Sequence, residues 1–335
     1  MGYREAVRST KQPVMRGCGL KWVAMMRLVP VPGSRRVWAL PCLSALCWPA
    51  TKRGTRRHTT SVDGARQMMK PGRRWLPGRR LVVVVDGGVA DVLLALACVK
   101  SRVVMGSRWR WDAALSHPPG WQPQGKRGPK PTKGKRQHRW QRWAERSDTP
   151  WEDVEVDWYG GHRKPLWVCS RTALWDTPRL PPVAIRSVVV ADPEGTLRMA
   201  AFFWTALQAT PAQILAWVVR RWSLEVTCEE ARTPLGLETQ RPWSALALAR
   251  TTPVRWGLFA LVTVLALPWS GDGPIPVPVT AWYHKDEPTF SDCLALVRQH
   301  LWRARYSVHS TLQVECRPFP PAALDLLMHG VPVAA

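Results

Sequence analysis

The most regular hydrophobic pattern in the chain is an unbroken run of five β-forming residues, Leu81–Val85. A run that is apolar at every position predicts a strand buried on both faces, as central parallel strands are. The run ends at Asp86, and a helical pattern follows over 90–100. A second apolar run at 103–105 predicts the next strand. Strand, turn, helix and strand in this order predict a βαβ unit.

Apolar segments on either side of this unit predict further strands. They cover 20–29, 36–47, 152–159, 165–175, 183–190 and 197–204. Pro41 limits the second of them, because proline donates no hydrogen bond to a sheet. The segment 192–195, Asp-Pro-Glu-Gly, separates the last two strands, and these residue types favour a hairpin turn.

Helical spacing of apolar residues predicts four further helices. They cover 61–69, 211–232, 243–267 and 290–305. Ser61 is the expected cap of the first helix, and Pro71 is expected to end it. Pro253 is expected to interrupt the third helix. The last helix has Thr289 or Ser291 as its cap.

The charge balance indicates the kind of partner. The 335 residues include 48 Lys and Arg against 24 Asp and Glu, so the net charge is +24 and the pI about 10.8. A chain this basic is typical of proteins that bind a polyanion or an anionic membrane surface. Its 46% of hydrophobic residues and its 21 Trp predict a packed core, which argues against disorder throughout.

Other classes are not favoured by the sequence. The longest apolar stretch, Trp256 to Trp269, is too short for a bilayer span, so no membrane segment is expected. The first residues do not have the pattern of a signal peptide. The eight Cys form no C-x-x-C pair and no Cys/His cluster with zinc spacing. A cytoplasmic chain that meets nucleic acid fits these features.

Residues 112–150 form a segment rich in Pro, Gly, Trp and basic residues. Between 124 and 143 it has eight basic residues and no acidic one. The eight are Lys126, Arg127, Lys130, Lys133, Lys135, Arg136, Arg139 and Arg142. Such a run is either a solvated face or a surface that neutralises DNA phosphates, and in a chain this basic we favour DNA. Trp140 and Trp143 either stack on unpaired bases or, as we favour, pack against the protein.

The predicted helix 211–232 carries a candidate acidic site. At about 100° per residue, Arg221, Glu225 and Arg232 share one face over about three turns. On periodicity alone, this is most simply a salt-bridged face, because Arg and Glu four residues apart stabilise a helix.

Asp86 is the second candidate, because it ends a predicted strand where α/β sheets place ligand-binding residues. Gly87 and Gly88 after it leave space for a metal ion or a phosphate. The alternative is a turn residue or an N-cap of the following helix. With Glu225, Asp86 would supply the carboxylate oxygens that Mg²⁺ prefers for phosphoryl transfer.

At these residues the sequence resembles insertion-sequence transposases of the DDE type. Their signature is Tyr, two residues, Arg, three residues, Glu, six residues and Lys. The corresponding positions here are Val218, Arg221, Glu225 and Arg232. Arg221 and Glu225 match the signature, whereas Val replaces Tyr and Arg replaces Lys. Further segments resemble the same branch in order along the chain: 2–4, 19–23, 38–41, 158–161, 192–195, 236–244 and 289–292.

The resemblance implies an α/β protein with an RNase H-like mixed sheet flanked by helices. A mainly β insertion would lie between the second catalytic Asp, matched by Asp86, and the catalytic Glu, matched by Glu225. Both would bind Mg²⁺ or Mn²⁺, while Arg221 and Arg232 would contact DNA phosphates near the site. The implied domains are a first half of the core at 1–109, a basic loop and β-rich insertion at 110–205, a second half of the core with the catalytic helix at 206–270, and a C-terminal helical region at 271–335.

The activity that the resemblance implies is metal-dependent cleavage of DNA at the ends of an insertion sequence, followed by strand transfer to target DNA. The implied partners are element-end DNA, target DNA and a second copy of the chain in a synaptic complex, without a membrane. The implied location is the bacterial cytoplasm, in association with the nucleoid.

The family's first catalytic Asp has no counterpart here. Before Asp86 the acidic residues are Glu5 and Asp63, and neither is expected on a central strand. In the family that Asp precedes a segment resembling Gly2-Tyr3-Arg4, so we expect an N-terminally truncated chain that is inactive alone. A non-enzymatic DNA-binding remnant is one alternative. A basic RNA-binding protein is another, although no RNA-recognition motif is visible.

Overall fold

Seven strands between Leu81 and Trp204 form one mixed sheet in the computed structural model of the protein. The structure describes residues 2–4, 16–18, 21–48, 58–111, 113, 115–120, 131–158, 162–239, 244–271, 273–278 and 285–309. The strands are β1 (Gly2–Arg4), β2 (Arg16–Cys18), β3 (Lys21–Pro30), β4 (Val37–Cys47), β5 (Leu81–Val85), β6 (Val103–Arg108), β7 (Leu115–Ser116), β8 (Glu152–Asp157), β9 (Arg163–Trp175), β10 (Val183–Ala191) and β11 (Ala200–Trp204). The helices are α1 (Ser61–Trp75), α2 (Val92–Lys100), α3 (Trp140–Ala144), α4 (Pro211–Arg221), α5 (Ser223–Leu235), α6 (Ala245–Trp269) and α7 (Phe290–His309).

The chain divides into two compact units. The first combines Met1–Met25 with Ser44–Arg221, and the second combines Met26–Leu43 with Trp222–Ala335. The mixed sheet and α1–α4 therefore belong to the first unit, and α5–α7 belong to the second. The paired strands β3 and β4 each have residues in both units.

The strand order in the first unit is β5-β6-β11-β10-β9-β7, and β8 pairs with β9. β5 and β6 are parallel, with Leu81 opposite Val103 and Val85 opposite Ser107. The remaining pairs are antiparallel. Because α2 connects β5 to β6, the predicted βαβ unit is present in a mixed α/β sheet that helices flank.

β5 lies at the end of this strand order, whereas the sequence predicted a central strand buried on both faces. All five of its residues are only half-buried. Val82 and Val84 pack against the core that includes residues of α4. The prediction was wrong because an apolar run also forms where a helix covers one face of a terminal strand.

The strands β8–β11 belong to the same sheet as β5 and β6. β11 pairs with β6, and Trp204 lies opposite Gly106. Gly106 makes this approach possible, since a Cβ at that position would lie 1.7 Å from Cζ3 of Trp204. The expected mainly β insertion is therefore not confirmed as a body separate from the sheet.

β10 and β11 form the hairpin that the segment 192–195 predicts. The Gly195 N–H donates to the Asp192 carbonyl at 3.0 Å. Gly195 has φ +69°, a conformation that glycine adopts without the strain of a Cβ. The hairpin prediction is confirmed.

The core of the first unit lies between the sheet and α4. Ile214 and Leu215 on α4 are fully buried, and each such side chain contributes roughly 1.5–3 kcal/mol. Trp217 stacks on Trp204 of β11, with ring centroids 5.1 Å apart. The apolar face of α4 thus fixes this helix on the sheet.

α1 differs from its predicted bounds at both ends. Thr60, not Ser61, is the N-cap: its side chain accepts from the Asp63 N–H at 3.1 Å, and Asp63 accepts from the Thr60 N–H at 3.1 Å. The helix continues through Pro71 to Trp75. Proline removes only one helical hydrogen bond, and buried Met68 and Met69 in the preceding turn hold the helix in place.

The second unit has its own core, formed where α6 and α7 pack together with residues of β3–β4 and α5. Phe259 of α6 stacks on Phe290 of α7, with ring centroids 4.3 Å apart, and both are fully buried. Thr289 precedes α7, and its N–H donates to Asp292 at 2.7 Å. Of the two predicted caps, Thr289 is therefore the one that flanks the helix.

α6 is continuous through Pro253, so the predicted interruption was wrong. The window Ala249–Trp269 has a mean hydropathy of 1.3 and sufficient length to cross a membrane, and 33% of it is buried inside the protein. Core helices of soluble proteins share this length and composition, and Phe259 and Val262 on α6 are buried. The absence of a membrane segment stays a prediction from sequence.

Candidate functional site

Asp86 directly follows β5, at the carboxyl end of the parallel pair. Its side chain is exposed. Its Oδ2 accepts from the Gly88 N–H at 2.9 Å, and its carbonyl accepts from the Val89 N–H at 2.9 Å. Asp91, not Asp86, caps α2, because Asp91 Oδ1 accepts from the Leu93 N–H at 2.7 Å. Asp86 is therefore a turn residue that presents a carboxylate at the edge of the sheet.

The predicted helix 211–232 is two helices in the structure. α4 ends at Arg221 and α5 begins at Ser223, with exposed Trp222 between them. The unit boundary also falls there, between Arg221 and Trp222. The prediction of one uninterrupted helix over 211–232 was therefore wrong, because regular spacing cannot reveal a break at one residue.

Glu225 lies in the first turn of α5. It is half-buried, and its Oε2 is shielded from solvent. A carboxylate in a first turn is stabilised by the helix dipole. Thr227 fixes the same helix, because its hydroxyl donates to the Ala39 carbonyl at 2.9 Å. Glu225 thus has a defined position on a helix that is held in place.

Arg232 lies two turns after Glu225 and on the same face of α5. Its Nη2 donates to Glu238 Oε2 at 2.8 Å, and its Nε donates to the same oxygen at 3.2 Å. Both side chains of this ion pair are about half exposed. Arg232 therefore has a protein partner in this state, and a phosphate would have to replace Glu238.

The carboxylates available for a metal ion do not form a complete ligand set. Within the described ranges, no group of three or more His, Cys, Asp or Glu is placed to hold a metal ion. Asp86 lies in the first unit and Glu225 in the second. Asp63 precedes both in sequence, and its carboxylate accepts from the Thr60 N–H in the capping box of α1. Asp86 and Glu225 are chemically suited to a hard cation, but the described residues of either unit place no further set of ligands.

The described part of the basic segment is exposed on the first unit. Lys135, Arg136, Arg139 and Arg142 are all exposed, whereas Lys133 pairs with Asp176. Lys126, Arg127 and Lys130 lie outside the described residues. The backbone of this segment is held beside β7, since the His117 N–H donates to the Lys135 carbonyl at 2.8 Å. A fixed backbone with four exposed cations is a surface that suits a polyanion.

Trp140 and Trp143 of this segment pack against the protein. Trp140 is 1% exposed, which confirms the packing interpretation for that residue. The guanidinium of Arg171 lies over both rings, 4.1 Å from the centroid of Trp140 and 5.1 Å from that of Trp143. Arg171 also donates to the His138 carbonyl at 2.7 Å. Burial lowers the pKa of Arg171 to about 10, so it remains a cation at neutral pH.

Glu230 on α5 is an acidic residue whose role the sequence did not indicate. It pairs with Arg36 and accepts from the Phe290 N–H at 2.8 Å. Burial raises the pKa of this carboxyl, and Arg36 opposes that effect. The partners are 194 and 60 residues away, so no local pattern carries the signal. Glu230 connects three segments of the second unit.

Comparison with known proteins gives a distant structural neighbour. No family model matches the sequence, and no curated protein does. A cryo-EM structure of the piggyBac transposase synaptic complex with hairpin DNA is similar with a TM-score of 0.39 and 11% identity. The similarity covers 96% of this chain and 52% of that chain. The chain thus spans about half the length of that neighbour, and a likeness at this level leaves the family of the chain open.

Proposed function

We propose that this chain corresponds to the catalytic region of a DDE-type DNA transposase, and that it binds DNA without completing strand cleavage alone. The observation that carries this proposal is Asp86, which presents a carboxylate directly after the parallel strand β5. The sequence resemblance assigns a catalytic Asp to this position. The mixed sheet flanked by helices is compatible with the RNase H-like fold that such a site requires.

In this proposal Asp86 and Glu225 are metal ligands. The divalent ion, Mg²⁺ or Mn²⁺, would stabilise charge on the phosphate oxygens of DNA. Arg221 at the end of α4 and Arg232 on α5 would contact phosphates, since Arg binds phosphate through two parallel hydrogen bonds. The substrate would be DNA at the ends of an insertion sequence.

The proposed lack of independent cleavage rests on the ligand set. A metal pair needs several carboxylates, and the described residues provide no group of three ligating side chains. Asp63 hydrogen-bonds the N-terminus of α1 instead. The resemblance also assigns no residue of this chain to the family's first catalytic Asp, so a further carboxylate would be needed to complete the site.

The test combines metal binding with strand cleavage by the full chain. Electron paramagnetic resonance measures Mn²⁺ binding in the presence of duplex DNA. We expect Asp86→Asn and Glu225→Gln to bind Mn²⁺ more weakly than the parent does. Asp153→Asn, an exposed carboxylate on β8, is the matched control and should bind Mn²⁺ as the parent does. Equal Mn²⁺ binding by all four proteins would refute the site.

Nicking of supercoiled DNA in Mg²⁺ tests the incompleteness separately. We expect no nicking above background from the purified chain. Robust nicking that Glu225→Gln abolishes would refute the incompleteness while supporting the site.

A second candidate function is DNA binding without any catalytic role. The exposed side chains of Lys135, Arg136, Arg139 and Arg142 favour it, because they need no metal to bind phosphates. This alternative predicts that Asp86→Asn and Glu225→Gln leave both DNA affinity and Mn²⁺ binding unchanged. The two candidate functions therefore predict different results in the Mn²⁺ titration, whereas both predict DNA binding that weakens with salt.

A further inference from the structure

A basic groove lies between α1 and α2 in the first unit, apart from Asp86, Glu225 and the basic segment at 131–142. Its volume is about 930 Å³. Met69 and Leu96 contribute apolar surface to it, and Arg66, Lys70 and Lys100 bring three cations. All three cations are exposed, whereas Met69 is buried. The groove therefore has an apolar floor and a basic rim.

The charge of this groove is poorly neutralised by the protein. Asp63 is the one carboxylate among the lining residues, and its hydrogen bonds go to Thr60 at the start of α1. Arg66 lies 3.8 Å from Asp63, in an exposed pair that is worth little. Among the described residues, no carboxylate lies within ion-pair distance of Lys70 or Lys100. At least two of the three cations are thus available to a ligand.

The spacing of the cations suits an extended polyanion. Arg66 and Lys70 are one turn apart on α1, about 6 Å along the helix axis. Lys100 approaches from the last turn of α2, on the other wall of the groove. A single phosphate would leave most of such a space empty, and the cations are on the rim rather than enclosed. A sugar-phosphate strand places successive phosphates along a line and its sugars against an apolar floor.

We propose that the α1–α2 groove binds the sugar-phosphate backbone of a DNA strand through Arg66, Lys70 and Lys100. This inference rests on the proposed function for the presence of DNA, but it uses none of the residues of that site. Single-stranded and duplex DNA both have a sugar-phosphate backbone, so both are needed as probes. The groove would be a second DNA surface besides the segment at 131–142.

The test compares two variants of equal charge in the full chain. The groove variant is Arg66→Gln/Lys70→Gln/Lys100→Gln. The control is Lys21→Gln/Arg179→Gln/Arg198→Gln, which removes three exposed cations elsewhere on the same unit. Gln keeps helix propensity close to that of Lys and Arg, and thermal unfolding verifies that both variants fold. The probes are a labelled 30-nucleotide single strand and its duplex, titrated at several salt concentrations.

We expect the groove variant to have a Kd about tenfold higher than that of the control. Its plot of log K against log salt should be less steep, by about 2–3 for duplex and about 2 for single-stranded DNA. Loss with one probe alone identifies that form of DNA as the ligand and supports the groove. Equal affinities and slopes for the two variants with both probes would overturn the groove while leaving DNA binding intact. A parent chain that binds neither probe would overturn the proposed function and the groove together.

Discussion

Gly106 is the residue whose identity the sheet restricts most tightly. The position pairs with Trp204, whose ring occupies the space where a side chain would project. Trp204 is fully buried and stacks on Trp217, so the ring has no room to move aside.

Gly106→Ala should therefore destabilise the protein by about 1–3 kcal/mol or more, the usual cost of overpacking a core. Urea unfolding followed by Trp fluorescence measures this. Gly257→Ala is the control, since it lies in α6 with open space around the new Cβ and should stabilise the helix by up to about 1 kcal/mol. Equal stability of the two variants would contradict the packing argument.

Asp192 carries a pH-dependent contribution to stability. The Thr196 hydroxyl donates to it at 2.5 Å, and the Leu197 N–H donates at 2.9 Å. Together with Lys164, these donors hold the pKa of Asp192 down to about 2. A carboxyl with a depressed pKa stabilises the folded state above its unfolded pKa of about 3.9, and this stabilisation is lost as pH falls toward 2.

Asp192→Asn should thus lower the urea midpoint at pH 7, and its deficit relative to the parent should shrink between about pH 4 and the folded pKa. Parallel urea titrations at pH 7, 4 and 2.5 measure the deficit. Glu194→Gln provides a comparison in the same turn, where the carboxylate is exposed and makes one ion pair to Lys164. A deficit that is constant across this pH range would contradict the assigned pKa.

At the scale of elements, α3 depends on a residue that is distant in sequence. The helix has five residues and no side-chain N-cap, and a helix this short is unstable alone. Arg171 on β9 covers Trp140 and Trp143 and bonds the carbonyl of His138. Arg171 therefore holds α3 and nearby His138, in addition to the backbone hydrogen bonds that hold the rest of the described basic segment beside β7.

Arg171→Lys should weaken the segment, because an ammonium keeps the charge but lacks the planar group that stacks on indole. A desolvated cation–π contact is worth about 1–2 kcal/mol. Hydrogen exchange across α3 should accelerate accordingly. Arg163→Lys, at an exposed position on the same strand, should leave α3 unchanged. Unaltered exchange in Arg171→Lys would refute the role of the stack.

Local patterns predicted the elements better than their arrangement. β5 and β9–β11 form close to where apolar runs and turn residues indicated, and the 192–195 hairpin follows from its residue types. The errors lie where distant packing decides. Pro71 and Pro253 stay inside helices that the cores hold in place, and β5 is only half-buried because Val82 and Val84 pack against the core that includes residues of α4.

The candidate site follows the same rule. The sequence located Asp86 after a strand, and that placement depends on local structure alone. The break at Trp222 and the division of Asp86 and Glu225 between units depend on tertiary contacts, which spacing does not encode. Glu230 has partners in two other segments and was invisible for this reason. Its burial, not a motif, distinguishes it.

At the scale of the whole molecule, the net charge of +24 is spread over the sequence. Such a charge attracts any polyanion and speeds encounter, so weak DNA binding alone would say little about a site. A local surface differs because its cations each displace a counterion from the bound phosphates. The salt dependence of binding separates the two effects.

The salt dependence of duplex binding should become weaker when the four exposed cations are removed. We expect the slope of log K against log salt to be less steep by about 3–4 in the variant Lys135→Gln/Arg136→Gln/Arg139→Gln/Arg142→Gln. Its control is Lys21→Gln/Arg27→Gln/Arg179→Gln/Arg198→Gln, which removes four exposed cations and leaves the same net charge. The control should weaken binding only through the overall field, with a smaller change of slope. Fluorescence anisotropy from 50 to 200 mM salt measures both slopes. Matching slopes would mean that DNA responds to the total charge of the molecule and not to this surface.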